Sequence, residues 1–163
     1  MPCKKSTGKR MNYEATLRKT RELVEKHVDF FDKNTYEISI LPGWAELVEF
    51  FLQEVQNLTK DSEGKIKISQ IKEKLGGLRI YYRTVNLSEK QKQEVGTLVE
   101  KVEASSYNTC NICSKPGRPE NRTGWISVRC KDHKDVDVFT EDYSLSVLGK
   151  HDDEMARILR HEL

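Results

Sequence analysis

The feature that most constrains the fold is a set of three cysteines and one histidine late in the chain. Cys110 and Cys113 are separated by two residues. Sixteen residues later, Cys130 and His133 repeat that spacing. One tight turn can direct both side chains of such a pair at a single ion, and the segment between the pairs is long enough to return as a hairpin. Because thiolates and a neutral imidazole suit Zn²⁺, the sequence predicts one zinc ion bound by Cys110, Cys113, Cys130 and His133.

The number of predicted ligands indicates what this zinc does. A catalytic zinc keeps one position of its tetrahedral shell open for water, whereas four protein ligands fill the shell. We therefore expect a structural ion that holds a zinc knuckle, of the zinc-ribbon or treble-clef-like kind, over residues 108–134. Cys3 lies outside this set, and we expect it to be an incidental thiol.

Ahead of the zinc module, residues 12–107 have the pattern of an α+β core. Apolar residues recur at steps of three and four after Asn12, after Pro42 and after Ser88, which predicts three amphipathic helices. Ser88 and Gln91 fit a capping box at the start of the third helix. The expected fold class is α+β, with amphipathic helices packed on a small antiparallel sheet and a structural zinc knuckle near the C-terminus.

The segment between the second and third helices predicts a β-hairpin that turns at Gly76-Gly77, with isoleucines on its buried face. Its outer face would then carry basic side chains around an aromatic ring, namely Lys65, Lys67, Arg79, Tyr81 and Arg83. Such a face suits phosphate contact combined with base stacking. It is also how a half-buried hairpin stays soluble, which is the interpretation we favour, and both remain open.

The two ends of the chain have opposite charge. Residues 1–30 contain eight Lys/Arg and four Asp/Glu, whereas residues 131–163 contain five and nine. We expect residues 1–11 to form a flexible basic arm and residues 135–163 to form an acidic extension with a C-terminal helix. No apolar run has the length of a membrane span, and no apolar segment of a signal peptide follows the basic start. The expected location is the cytoplasm.

No motif of the sequence indicates an active site. There is no phosphate-binding glycine loop, no nucleophile elbow and no HExxH pair. His27 shares an apolar helix stripe, so we expect a satisfied core histidine. The remaining candidate is a second metal site in a hydrolase or nuclease, built from His151, Asp152, Asp153 and His161. Because acidic residues at the start of a helix are commonly caps, we expect that the protein is not an enzyme.

Two stretches resemble a group of small proteins from bacteriophages and bacterial genomes. They are QIKEKLGGLRIYYR, over 70–83, and TCNICSKPGR…GWISVRCKDH, over 109–133. Gly43-Trp44 also resembles a Gly-Trp pair near the front of that group, and Ser114 stands where the group usually has glycine. The resemblance covers about residues 42–133. It implies the same four zinc ligands and a phage or mobile-element origin, and it implies no particular activity.

The sequence supports three hypotheses of function. The leading one is a non-enzymatic, phage-encoded protein that docks on a host protein in the cytoplasm of a bacterial cell, as inhibitors and counter-defence proteins do. Its warrants are the closed zinc site, the missing active site, the acidic extension and the resemblance. The second is a nucleic-acid-binding regulator that uses the basic arm and the outer hairpin face. The third is the metal-dependent hydrolase.

Overall fold

The computed structural model describes residues 13–35, 37–136 and Arg157. Within these residues the protein is α+β, as expected. Its elements are helices α1 (Tyr13–Lys26), α2 (Ala45–Thr59) and α3 (Glu89–Ser106), and strands β1 (Glu37–Ser39), β2 (Lys65–Lys74), β3 (Gly77–Val85), β4 (Arg118–Arg122) and β5 (Trp125–Arg129). None of the helices in this described part has both the length and the apolar character needed to cross a membrane.

Some of the predicted features lie outside the described residues. They are the basic arm with Cys3, most of the acidic extension with its C-terminal helix, and the candidate hydrolase residues His151, Asp152, Asp153 and His161.

The first sheet contains three strands in the order β1-β2-β3, and it is mixed rather than purely antiparallel. β2 and β3 form the expected antiparallel hairpin, which we call the long hairpin. β1 pairs with β2 in parallel, with Ile38 opposite Ile71. The parallel pair arises because α2 connects these two strands as a crossover, so the chain re-enters the sheet in its original direction.

The turn of the long hairpin consists of Leu75 and Gly76, so the expected turn at Gly76-Gly77 is wrong by one residue. Leu75 has φ 52° and Gly76 has φ 82°, and positive φ at both central residues is the requirement of a type I′ turn. Gly77 instead begins β3. A Cβ at Gly77 would lie 2.5 Å from the hydroxyl oxygen of Tyr107, so the close approach of α3's end explains this glycine.

The core lies between the helices and the inner face of the first sheet. The isoleucines of β2 and the apolar stripe of α2 are buried there, and Trp44 and Phe51 are its largest fully buried side chains from the α2 region. His27 is also buried, and its Nε2 lies 3.0 Å from a carboxylate oxygen of Glu49. The histidine is therefore a satisfied core residue, as its place in the α1 stripe predicts.

Helix α3 covers part of the free edge of β3. The backbone N–H of Leu78 donates to Oγ of Ser106 at 2.9 Å, and that of Ile80 donates to the Glu103 carboxylate at 3.0 Å. Side chains of α3 thus pair with backbone N–H groups of β3 that would otherwise be free to pair with another strand. The predicted capping box, Ser88 with Gln91, is present at the start of α3.

Two substitutions in α3 should change stability in opposite directions. Ser88→Ala removes the acceptor for the Gln91 N–H and should lower the free energy of unfolding by about 1 kcal/mol. Gly96→Ala adds a Cβ that meets no atom within 4 Å, and should raise it by about 0.5–1 kcal/mol. Chemical denaturation of both variants measures these changes. Equal shifts in the same direction would contradict the assigned helix.

Candidate metal centre

The predicted ligands lie on two turns that flank a hairpin formed by β4 and β5, here called the metal hairpin. In the first turn, the backbone N–H of Ser114 donates to the carbonyl of Cys110 at 3.0 Å, and the N–H of Cys110 donates to Lys115 at 2.8 Å. In the second, the N–H of His133 donates to the carbonyl of Cys130 at 3.2 Å. Each turn is closed by local backbone bonds, which is why a two-residue spacing brings its two ligands together.

The four ligand atoms converge on one point. All of them lie within 4.8 Å of one another in the group Cys110, Cys113, Cys130 and His133. The Sγ atoms of Cys113 and Cys130 are 3.7 Å apart, and Nδ1 of His133 lies 3.7 Å from Sγ of Cys110 and 3.3 Å from Sγ of Cys130. These residues can therefore hold a metal ion, with Nδ1 as the histidine donor.

The two thiols of the first turn have opposite pKa shifts. Burial raises the pKa of Cys110, but donation from the backbone N–H groups of Ile112, Cys130 and Cys113 outweighs it and brings the pKa to about 6. Burial and the neighbouring sulfurs raise the pKa of Cys113 to about 11. Since a metal binds the thiolate, binding at neutral pH releases at least the Cys113 proton.

The turn that begins α2 is in direct backbone contact with the first ligand turn. An added Cβ at Gly43 would overlap the carbonyl oxygen of Cys110 and lie 2.5 Å from the carbonyl carbon of Asn111. Gly43 donates its N–H to the Asn111 carbonyl at 2.9 Å, and Trp44 donates its indole N–H to the Thr109 carbonyl at 3.0 Å. The ligand turn and the start of α2 are thus one hydrogen-bonded unit.

Ser114 adds a third hydrogen bond between these two turns. It has φ 66°, in the left-handed region that favours glycine, which is the residue the resembling group usually has there. Its hydroxyl donates to the Gly43 carbonyl at 2.8 Å. The hydrogen bond to Gly43 therefore offsets part of the backbone strain that a serine has in this conformation.

A buried arginine and asparagine lie behind the ligand turns. Arg129 is 3% exposed, and its Nη1 donates to Oδ1 of Asn111. Burial lowers the pKa of Arg129, while the charges of Cys110 and Glu73 act in the opposite direction. Nδ2 of Asn111 is buried without a hydrogen-bond partner among the described residues. Neither residue is predictable from the ligand spacing, because neither belongs to it.

The predicted outer hairpin face exists, but its two arginines have partners within the protein. Arg83 forms a 2.8 Å ion pair with Asp32, and Arg79 donates to the Tyr107 hydroxyl at 3.0 Å.

The ammonium group of Lys67 donates to the backbone carbonyl of Asp29. Lys65 is exposed, and Tyr81 is 40% exposed with the Lys72 ammonium 5.5 Å from its ring centre. Lys65, Tyr81 and Arg83 are thus exposed on this face, with Arg83 paired to Asp32, whereas Lys67 and Arg79 are half-buried.

Comparisons of the chain with models of protein families, with curated proteins and with solved structures find no match.

Substituting Gly43 should weaken both the fold and the metal site. In Gly43→Ala the Cβ meets backbone atoms of Cys110 and Asn111, which cannot move without displacing a ligand. We expect the free energy of unfolding to fall by about 3 kcal/mol and metal affinity to fall at least about tenfold. Denaturation and competition with a chromogenic chelator measure the two effects. Gly96→Ala is the matched control. Unchanged metal affinity in Gly43→Ala would contradict the proposed dependence of the metal site on the Gly43 contact.

Proposed function

We propose that this protein is a zinc-stabilised, non-enzymatic binding protein that docks on a protein of a bacterial host. The proposal has two parts, a structural Zn²⁺ at the metal centre and a docking surface formed by the two hairpin turns. A phage origin and a cytoplasmic site of action belong to the same proposal. The resemblance of residues 42–133 supports the first, and the absence of disulfides among the three described cysteines supports the second.

The donor set and its geometry support zinc as the metal. Zinc bonds of about 2.3 Å to sulfur and about 2.0–2.1 Å to nitrogen place neighbouring tetrahedral donors roughly 3.5–3.8 Å apart. Two separations at this centre, both 3.7 Å, lie in that range, and the third, 3.3 Å, is slightly shorter. Three thiolates and one imidazole fill a four-coordinate shell, which supports a structural rather than a catalytic ion.

Zinc removal should unfold the module. We expect one zinc ion per chain in the unmodified protein and in Cys3→Ala, whose cysteine is not a proposed ligand. Cys113→Ala should lose the ion and several kcal/mol of stability, because structural zinc binding contributes on the order of 10 kcal/mol in small domains. Elemental analysis after dialysis measures the stoichiometry. Retention of a full zinc equivalent by Cys113→Ala would contradict the assignment.

The docking surface is proposed at the place where the two hairpin turns meet. A Cβ on Gly76 would lie 2.5 Å from Cγ2 of Ile126, so the tip of the long hairpin contacts the metal hairpin. Next to this contact, Leu75 is 73% exposed and Trp125 is 37% exposed. We call Leu75 and Trp125 the tip patch. Exposed large apolar side chains that border a contact between two hairpins are typical of protein-binding surfaces.

Leu75 is the single observation that carries the docking proposal. It is a leucine with φ 52° in a two-residue turn where asparagine or glycine would be favoured. Its side chain is mostly exposed, so burial does not offset the backbone strain. A strained backbone that presents an exposed apolar side chain is the pattern of a residue kept for contact with a partner.

Leu75→Asn separates docking from stability. Because Asn-Gly is the favoured type I′ pair, the variant should unfold at equal or higher denaturant concentration, with a gain of up to about 1 kcal/mol. Its capture of a host protein from nuclease-treated bacterial lysate should fall at least about tenfold. Phe50→Ser, which removes an exposed apolar ring from α2, is the control and should retain capture. Equal capture by Leu75→Asn would contradict the tip patch.

Nucleic-acid binding is the second candidate, favoured by the exposed Tyr81 among lysines on the outer face of the long hairpin. Stacking on an aromatic ring and contact of lysines with phosphates would supply its affinity. The nuclease treatment distinguishes the two candidates. Partners that disappear after nuclease, together with affinity that falls steeply with salt, would favour the outer face over the tip patch.

A further inference from the structure

A cleft beside the metal centre is lined by positively charged side chains. It measures about 560 Å³ and lies between the start of β4 and the second ligand turn. The charged residues in its lining are Arg118, Glu120, Arg129, Lys131 and Lys134. The backbone of Gly117 also lines it. None of these lining residues belongs to the tip patch or to the outer face of the long hairpin.

The two arginines of the cleft lie directly opposite each other in the metal hairpin. Arg118 of β4 pairs in register with Arg129 of β5, and like charges in that position repel each other. Glu120 is the one carboxylate in the lining, and it already accepts from Nε of Arg118 at 2.9 Å. The arrangement therefore leaves Arg129 with no carboxylate partner in the cleft.

Arg129 is 3% exposed, and its side chain makes one hydrogen bond among the described residues. Among the described residues its one acceptor is Oδ1 of Asn111, whereas a guanidinium carries five N–H donors. The charge of Glu73 acts on Arg129, but no ion pair joins the guanidinium to a carboxylate among the described residues. Its other donor atoms are not among the fully buried atoms that lack a partner, so they are open to an acceptor in the cleft.

The metal centre accounts for only part of this charge. Three thiolates with a divalent ion carry a net charge of about −1, which can balance Arg129 across the ligand turns. Glu120 balances Arg118. Lys131 and Lys134 are exposed, and their ammonium groups have no partner among the described residues. Within the part of the chain that the structure describes, these two positive charges at the rim of the cleft are in no ion pair.

We propose that this cleft binds a phosphate group. A phosphate offers several acceptor oxygens, so it can take paired bonds from the Arg129 guanidinium while the two lysines contact its outer oxygens. The lining contains no aromatic ring on which a base could stack. The cleft therefore recognises phosphate itself, whether it belongs to a nucleic-acid backbone or to a small phosphorylated molecule. The proposal does not depend on the docking function.

The test is an NMR titration of the full-length, zinc-loaded protein with sodium phosphate at constant ionic strength. We expect saturable shifts of the Arg129 Nε–H and the Gly117 amide that sodium chloride does not reproduce. The Lys131→Ala/Lys134→Ala variant should bind phosphate about tenfold more weakly, because it loses two charge-assisted contacts. Shifts that do not saturate, or that chloride reproduces equally, would overturn the site.

A matched variant and a second probe complete the experiment. Lys33→Ala/Lys60→Ala removes the same charge from exposed positions outside the cleft and should leave phosphate affinity unchanged. An equal loss in both double variants would overturn the proposal, because it would show a general charge effect. A short DNA duplex then identifies the kind of molecule that carries the phosphate. Competition between duplex and phosphate at the Arg129 signal supports a nucleic-acid backbone, and saturable phosphate binding without competition supports a small phosphorylated molecule.

Discussion

The backbone contact between Gly43 and the first ligand turn is the constraint on which the rest of the structure depends. No side chain fits there, since a Cβ would lie within 2.5 Å of the Asn111 backbone. The turn that contains Gly43 leads into α2, whose apolar face fills the core. The same turn is joined to the ligand turn of Cys110 and Cys113 by hydrogen bonds that Gly43 and Ser114 donate. Metal binding and core folding are therefore coupled through a few atoms.

The metal hairpin connects that constraint to the surfaces proposed for function. Side chains alternate between the two faces of a strand, which places Ile126 and Val128 of β5 on one face and Trp125 and Arg129 on the other. Ile126 contacts the tip of the long hairpin and Val128 joins the core, whereas Arg129 lies on the opposite face beside the cleft. One short hairpin thus positions both the tip patch and the basic cleft, and the metal that fixes the hairpin governs both.

Features that depend on local sequence could be predicted, and features that depend on distant partners could not. The ligand spacing, the helix periodicities and the Ser88 cap are local, and the structure brings each of them out. The turn at Leu75 was missed because Gly77 is required by Tyr107, which is far along the chain. The ion pair of Arg83 was missed because Asp32 is 51 residues away. The parallel β1 pair likewise depends on the path of the crossover helix.

The most direct test of this account is equilibrium unfolding in guanidinium chloride followed by two signals at once. Far-ultraviolet circular dichroism reports the helices of the core, and a trace of chromogenic chelator reports release of the metal. Because Gly43 joins the ligand turn to α2, we expect one transition with the same midpoint for both signals. Metal release at clearly lower denaturant, with the helical signal intact, would show that the module and the core are independent and would contradict the account.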